Sequence, residues 1–106
     1  MKKVEVLLLS SGVTPYFEWH RGLEKRLQSK ISAYVDRVAL GGAKNNIRPL
    51  GDGVCEIKVD FGPGYRIYFA EIGRELILIL LGGDKSTQAQ DIAKAKDYWR
   101  IYVSSR

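Results

Sequence analysis

Three cations stand where a sheet could hold them together. Arg66 lies inside an alternating segment, Tyr65 to Ala70, in which Arg66, Tyr68 and Ala70 face one way and Tyr65, Ile67 and Phe69 the other. A guanidinium on such a strand is expensive to desolvate without a partner, so its position calls for a carboxylate or an anionic ligand. Lys58 belongs to the preceding alternating segment. Counting across the turn centred near Pro63 puts it roughly opposite Tyr68, close to Arg66. Lys85 follows the apolar run Leu76 to Leu81, which should stop at Gly82-Gly83-Asp84-Lys85. Together the three could converge on one phosphodiester. Arg66 would grip phosphoryl oxygens with two parallel N–H groups and stabilise developing negative charge. Lys58 or Lys85 would move a proton or act through charge.

A second reading of the same residues is structural: Arg66 paired across the strands with Glu56 or Asp60. Glu56 is also the one carboxylate on that face placed to act as a base near Arg66. His20, the single histidine, reads as a packed or surface residue of the first helix. The lone Cys55 excludes an intramolecular disulfide and a multi-cysteine metal site, and it reads as a small buried side chain. No metal-ligand spacing occurs, and no cofactor is expected.

These positions need elements to hold them. Val4 to Leu9 reads as a strand. Thr14-Pro15 reads as an N-cap with proline in the first helical position. Tyr16, Trp19, Leu23 and Leu27 then recur at helical spacing, with Gly22 a weak point and Ser29 a place to re-cap. Ile31, Tyr34, Val35 and Val38 mark a second amphipathic helix that ends at Gly41-Gly42. Residues 43–53 read as a polar connection. Val54 to Phe61 alternates as a half-buried strand, with Val54, Glu56, Lys58 and Asp60 opposite Cys55, Ile57, Val59 and Phe61. Short glycine turns join it to Tyr65–Ala70 and Leu76–Leu81 as an antiparallel meander. Ser86 or Thr87 caps a last helix, with Ala89, Ile92, Ala95, Lys96, Trp99 and Val103 near one face. The order β-α-α-β-β-β-α describes a single α+β domain over residues 1–106, with helices packed on one sheet.

Charge narrows the partners. The chain carries 17 basic and 12 acidic residues, a net +5. Residues 21–48 hold seven basic side chains against two acidic ones, so the whole excess lies in this segment. Lys25, Arg26, Lys30 and Arg37 form a basic face suited to RNA, the ribosome or an acidic protein; a solvated helix surface is the plain alternative. No apolar run approaches the roughly 20 residues that span a bilayer, and Val6 to Leu9 is too short for a signal-peptide core. The chain is therefore expected in the cytoplasm, away from membranes.

The strings RVALGGAKNNIRPLGDGVCEIKVDFGPGYRIYF and LLGGDKSTQAQDIAKAKDYW, with Tyr16, Trp19 and Leu23 before them, resemble the RelE/ParE superfamily of bacterial toxins. The nearer likeness is to its HigB-like addiction-module killer proteins. The resemblance runs from about Tyr16 to Trp99. It implies a RelE-like fold and the toxin of a type II toxin–antitoxin system, with a small helix-turn-helix antitoxin as partner. It also implies metal-independent cleavage of mRNA on the ribosome, in which the RNA 2′-hydroxyl attacks its own phosphate. Carried over, the family's strand arginine falls on Arg66 and the basic residue after the last strand on Lys85. One of two basic positions on the preceding strand falls on Lys58, while the other is Glu56 here. The family's C-terminal tyrosine or histidine falls near Asp91 and has no clear counterpart, since Tyr98 and Tyr102 come later. ParE-like relatives instead inhibit DNA gyrase through protein contacts, and an inactive remnant that only binds antitoxin is a third alternative.

Overall fold

A computed structural model describes residues 1–106. Strand β1 (Lys3–Val6) is followed by helices α1 (Pro15–Arg21) and α2 (Lys25–Ala39). A short 3₁₀ turn over Lys44–Asn46 leads into four strands: β2 (Ile47–Gly51), β3 (Val54–Val59), β4 (Tyr65–Ile72) and β5 (Leu76–Asp84). A second 3₁₀ turn, Lys85–Thr87, opens onto helix α3 (Gln88–Ser104). The sheet order is β1-β5-β4-β3-β2. The domain is α+β as the pattern predicts, and it differs from that expectation in five ways.

First, the polar connection contains a strand. Ile47–Gly51 pairs antiparallel with β3, with Arg48 opposite Glu56. Its signal is weak because Pro49 interrupts it. Proline lacks the N–H of the ladder and is tolerated here because β2 is an edge strand. Second, the sheet is mixed: β3 to β5 form the expected meander, which β2 extends, but β1 pairs parallel to β5. The first strand ends at Val6, although the Leu7 N–H still reaches the Ile79 carbonyl at 2.8 Å.

Third, the helices cover both faces of the sheet. Helices α1 and α2 lay Tyr16, Leu27, Ile31, Val35 and Val38 on Ile57, Val59, Ile67, Phe69, Ile77 and Ile79. Helix α3 covers the other face, over Val54, Tyr68, Ala70, Leu78 and Leu80. Strand β3 is therefore not half-buried: Val54 and Glu56, on its nominally polar side, are both buried. Fourth, helix boundaries move. α1 ends before Gly22 and Leu27 belongs to α2, so the break falls at Gly22–Glu24 instead of Ser29. Neither Thr14 nor Thr87 makes a capping hydrogen bond through its side chain.

Fifth, strand β5 runs on to Asp84 instead of stopping at Gly82. A bulge between Tyr68 and Phe69 skips Leu80, so Gly82 turns to the α1 face and Gly83 to the α3 face. A Cβ on Gly82 would overlap the Trp19 ring, and one on Gly83 would overlap the Asp91 carboxylate. The glycine pair lets α1 and the first turn of α3 close onto opposite sides of the same strand.

Candidate functional site

On the α3 face, the helix covers the apolar half of the sheet and leaves the end carrying Arg48, Glu56, Lys58 and Arg66 beyond its first turn. Lys58 lies directly opposite Arg66, not opposite Tyr68, which faces Glu56. The count across the hairpin is offset because the loop, Asp60 to Gly64, is centred on Gly62 instead of Pro63. On its other side Arg66 pairs with Gly83, which carries no side chain.

A cleft of about 350 Å3 is lined by Lys58, Asp60, Phe61, Gly62, Pro63, Gly64, Arg66 and Lys85. The three cations predicted from the sequence thus border one space. Gly64 helps shape it: its φ of +89° is in the region that favours glycine, and a Cβ there would lie 3.2 Å from Arg66 Nη1. Arg66 Nη1 donates to the Gly64 carbonyl at a long 3.4 Å. Lys58 is exposed and lies 3.6 Å from Asp60 Oδ1, while Lys85 is exposed at the mouth. Asp84, beside it, is held below the usual carboxylate range by its hydrogen bonds from Ser86, so it stays ionised.

The structural reading of Arg66 is realised together with the cleft. Glu56 is 3% exposed, and its Oε1 lies 3.4 Å from Arg66 Nε. The contact is ionic without being a hydrogen bond, because Arg66 Nε is buried with no hydrogen-bond partner. Glu56 Oε2 accepts from Arg48 Nη2 at 3.0 Å and from Gln88 Nε2 at 3.2 Å. A buried carboxylate is tolerable when shared in this way. It also means that Glu56 is committed to two arginines and an amide, a poor starting point for a general base. Sequence reasoning missed Arg48 and Gln88. Arg48 sits on the unrecognised strand, and only its spacing to Glu56 across the Gly51–Gly53 turn could have signalled the pair.

Other candidates lie elsewhere. Asp91 is buried against Gly83 and accepts from Thr87 Oγ1 at 2.6 Å. Tyr98 and Tyr102 line a separate groove with Leu7, Leu8 and Leu9. The Tyr68 hydroxyl is buried without a partner, and burial first, then the Glu56 and Asp91 charges, push its pKa upward. It remains protonated and does not line the cleft. His20 is tied to α2 by the Gln28 side chain, which donates to the His20 carbonyl at 2.8 Å. Cys55 is partly buried, and burial raises its thiol pKa.

The basic face of α2 meets the cleft at one residue. Lys30 Nζ lies 4.5 Å from the Phe61 ring centre and the Arg26 guanidinium 5.7 Å, and Phe61 is a wall of the cleft. Arg37 stacks instead on Tyr34 at 4.4 Å, farther along α2. Lys25, Arg26, Lys30 and Arg37 are all exposed. No helix is long and apolar enough to cross a membrane.

Comparison with known proteins adds the lineage. Residues 18–100 match the family described as phage derived protein Gp49-like (DUF891). The chain is 41% identical over 71 residues to an uncharacterized protein of Haemophilus influenzae, an alignment covering 67% of this chain and 71% of that one. The family match takes in the glycine turns, the glycine pair and every residue of the cleft, and the chain belongs to the Gp49-like family, which is of the RelE, addiction-module toxin type.

Proposed function

We propose that this chain is the toxin of a type II toxin–antitoxin pair, HigB-like in kind, and that it is a metal-independent endoribonuclease cutting mRNA on the cytoplasmic ribosome. The observation that carries the reading is the meeting of Lys58, Arg66 and Lys85 around one cleft at the end of a rigid sheet. In the proposed reaction the RNA 2′-oxygen bonds to the adjacent phosphorus and the bond to the 5′-oxygen breaks. A 2′,3′-cyclic phosphate and a 5′-hydroxyl result. The 2′-hydroxyl proton leaves to a base, and the departing oxygen takes one up. Arg66 holds the phosphoryl oxygens, whose charge grows in the transition state. Its Nη2 makes no hydrogen bond within the protein and is free for this. Lys58 and Lys85 flank the phosphate, one moving a proton and the other acting through charge. An antitoxin, expected to be a small helix-turn-helix protein, would silence the site.

Primer extension on cellular mRNA after brief induction tests the reading. Cuts at codon positions support it, and intact mRNA refutes it. One observation favours a different activity: Glu56 occupies the side of Arg66 that a second base in the family's pattern would leave cationic. A gyrase inhibitor acting through protein contacts would tolerate that substitution, and trapped gyrase–DNA complexes alongside intact mRNA would identify it.

A further inference from the structure

A second cleft adjoins the first and shares two of its residues. It measures about 360 Å3 and is lined by Asn45, Asn46, Arg48, Glu56, Gln88 and the shared pair Lys58 and Arg66, with Ile47 as its one apolar wall. We propose that this cleft is a nucleobase subsite and that the base it takes is guanine. The inference rests on the ribonuclease reading and names the nucleotide that flanks the phosphate held in the first cleft.

The argument is one of free hydrogen-bonding groups. Glu56, the acidic member, is buried, with Oε2 accepting from Arg48 and Gln88 and Oε1 held against Arg66, so it serves as an anchor under the floor. It fixes its partners. Arg48 spends Nη2 on Glu56 and keeps its remaining donors, and its side chain is 60% exposed. Gln88 spends its amide nitrogen on Glu56, which leaves its carbonyl oxygen without a protein donor. Asn46 is oriented in the same way: its nitrogen donates to the Lys58 carbonyl at 2.9 Å and to Asp60 Oδ2 at 3.2 Å, and its oxygen stays free. The cleft therefore presents a carboxylate-backed guanidinium as donor and two amide oxygens as acceptors. Guanine carries the complement on one ring system, with acceptors at O6 and N7 and donors at N1 and N2. Arginine against O6 and N7 is the commonest specific base contact. Adenine and the pyrimidines each lack part of that set. The shared Lys58 and Arg66 put the base next to the phosphate, as one nucleotide requires.

The test uses uncleavable 2′-O-methyl trinucleotides, UGU against UAU, UCU and UUU, titrated into the purified chain. Affinity is read by anisotropy and contact by the NMR signals of the Arg48 and Gln88 side chains. A good bidentate contact discriminates by roughly 5-fold to 150-fold, so UGU should bind tightest within that range. Arg48→Lys, which keeps the charge over Glu56 and removes the fork, should erase the preference. Gln88→Ala should reduce it. A preference for UAU, equal binding of all four, or a UGU preference that survives Arg48→Lys overturns the subsite. Failure to bind any of them also overturns it. The ribonuclease reading is judged separately by the primer extension, so cut transcripts with no base preference would sink the subsite alone.

Discussion

The site is decided residue by residue by which charges are spent on the fold and which are left over. Arg66 is spent only in part: Glu56 lies 3.4 Å from its Nε and Nη1 donates to the Gly64 carbonyl at 3.4 Å, while Nη2 makes no hydrogen bond within the protein. Arg66→Ala leaves Glu56 with Arg48 and Gln88, so the domain should stay folded while growth inhibition is lost. Removing a transition-state donor, the role proposed for Arg66, commonly costs about 10²–10³ in rate. Full toxicity in a soluble, folded Arg66→Ala chain would reject the site. Lys58→Ala and Lys85→Ala should each slow cleavage, with Lys85→Arg milder because it keeps the charge. Wild-type rates in both alanine variants would reduce the site to Arg66 and an unassigned group. Glu56 should behave in the opposite way. Glu56→Ala leaves Arg66 buried without its counter-charge, and breaking a buried pair from one side typically costs about 3–5 kcal/mol. Urea denaturation should show that loss, with Glu56→Gln less affected because the amide oxygen still accepts from Arg48. Unchanged stability in Glu56→Ala would show that the pair carries no structural weight.

The elements explain why the sequence revealed some of this and concealed the rest. Arg66 was legible because the alternation of β4 is strong and the Gly62-Pro63-Gly64 turn brackets it. Lys85 was legible because it follows the longest apolar run. The strand β2 was concealed by Pro49 and its polar neighbours, and with it went Arg48 and the second cleft. The half-buried expectation for β3 failed for a related reason. Alternation tells which residues share a face but not what covers it, and α3 packs over Val54 while its first residue reaches Glu56. The parallel pairing of β1 left no local trace, because it depends on two helices carrying the chain across the sheet. The glycine pair has its own test. Alanine at position 83 would drive a Cβ into Asp91, and overpacking of this sort costs about 1–3 kcal/mol. Gly83→Ala should therefore destabilise the domain, and clearly less so in an Asp91→Ala background. Equal costs in both backgrounds would mean that α3 does not press on this strand.

At the scale of the whole molecule, charge is arranged in two zones joined at Phe61. The +5 net charge is accounted for by residues 21–48, outside the segments that carry Lys58, Arg66 and Lys85. Arg26 and Lys30 rest on the Phe61 ring at the rim of the cleft, so the basic helix face runs up to the cleft that holds Lys58, Arg66 and Lys85. An RNA strand held in the cleft would meet α2 as it leaves. Phosphate contacts release counterions, so association with a ribosome should weaken steeply as salt rises. Reversing Lys25, Arg26, Lys30 and Arg37 to Glu should reduce co-sedimentation with ribosomes at low salt and flatten its salt dependence. The four side chains are exposed and none is ion-paired, so the fold should survive. Lys30 and Arg26 should matter more than Arg37, which lies over Tyr34 away from the cleft. Single reversals compared at the same salt would show that order. Equal, salt-insensitive co-sedimentation of wild type and the fourfold variant would instead make the basic face an ordinary solvated helix surface, leaving the cleft to find its RNA without it.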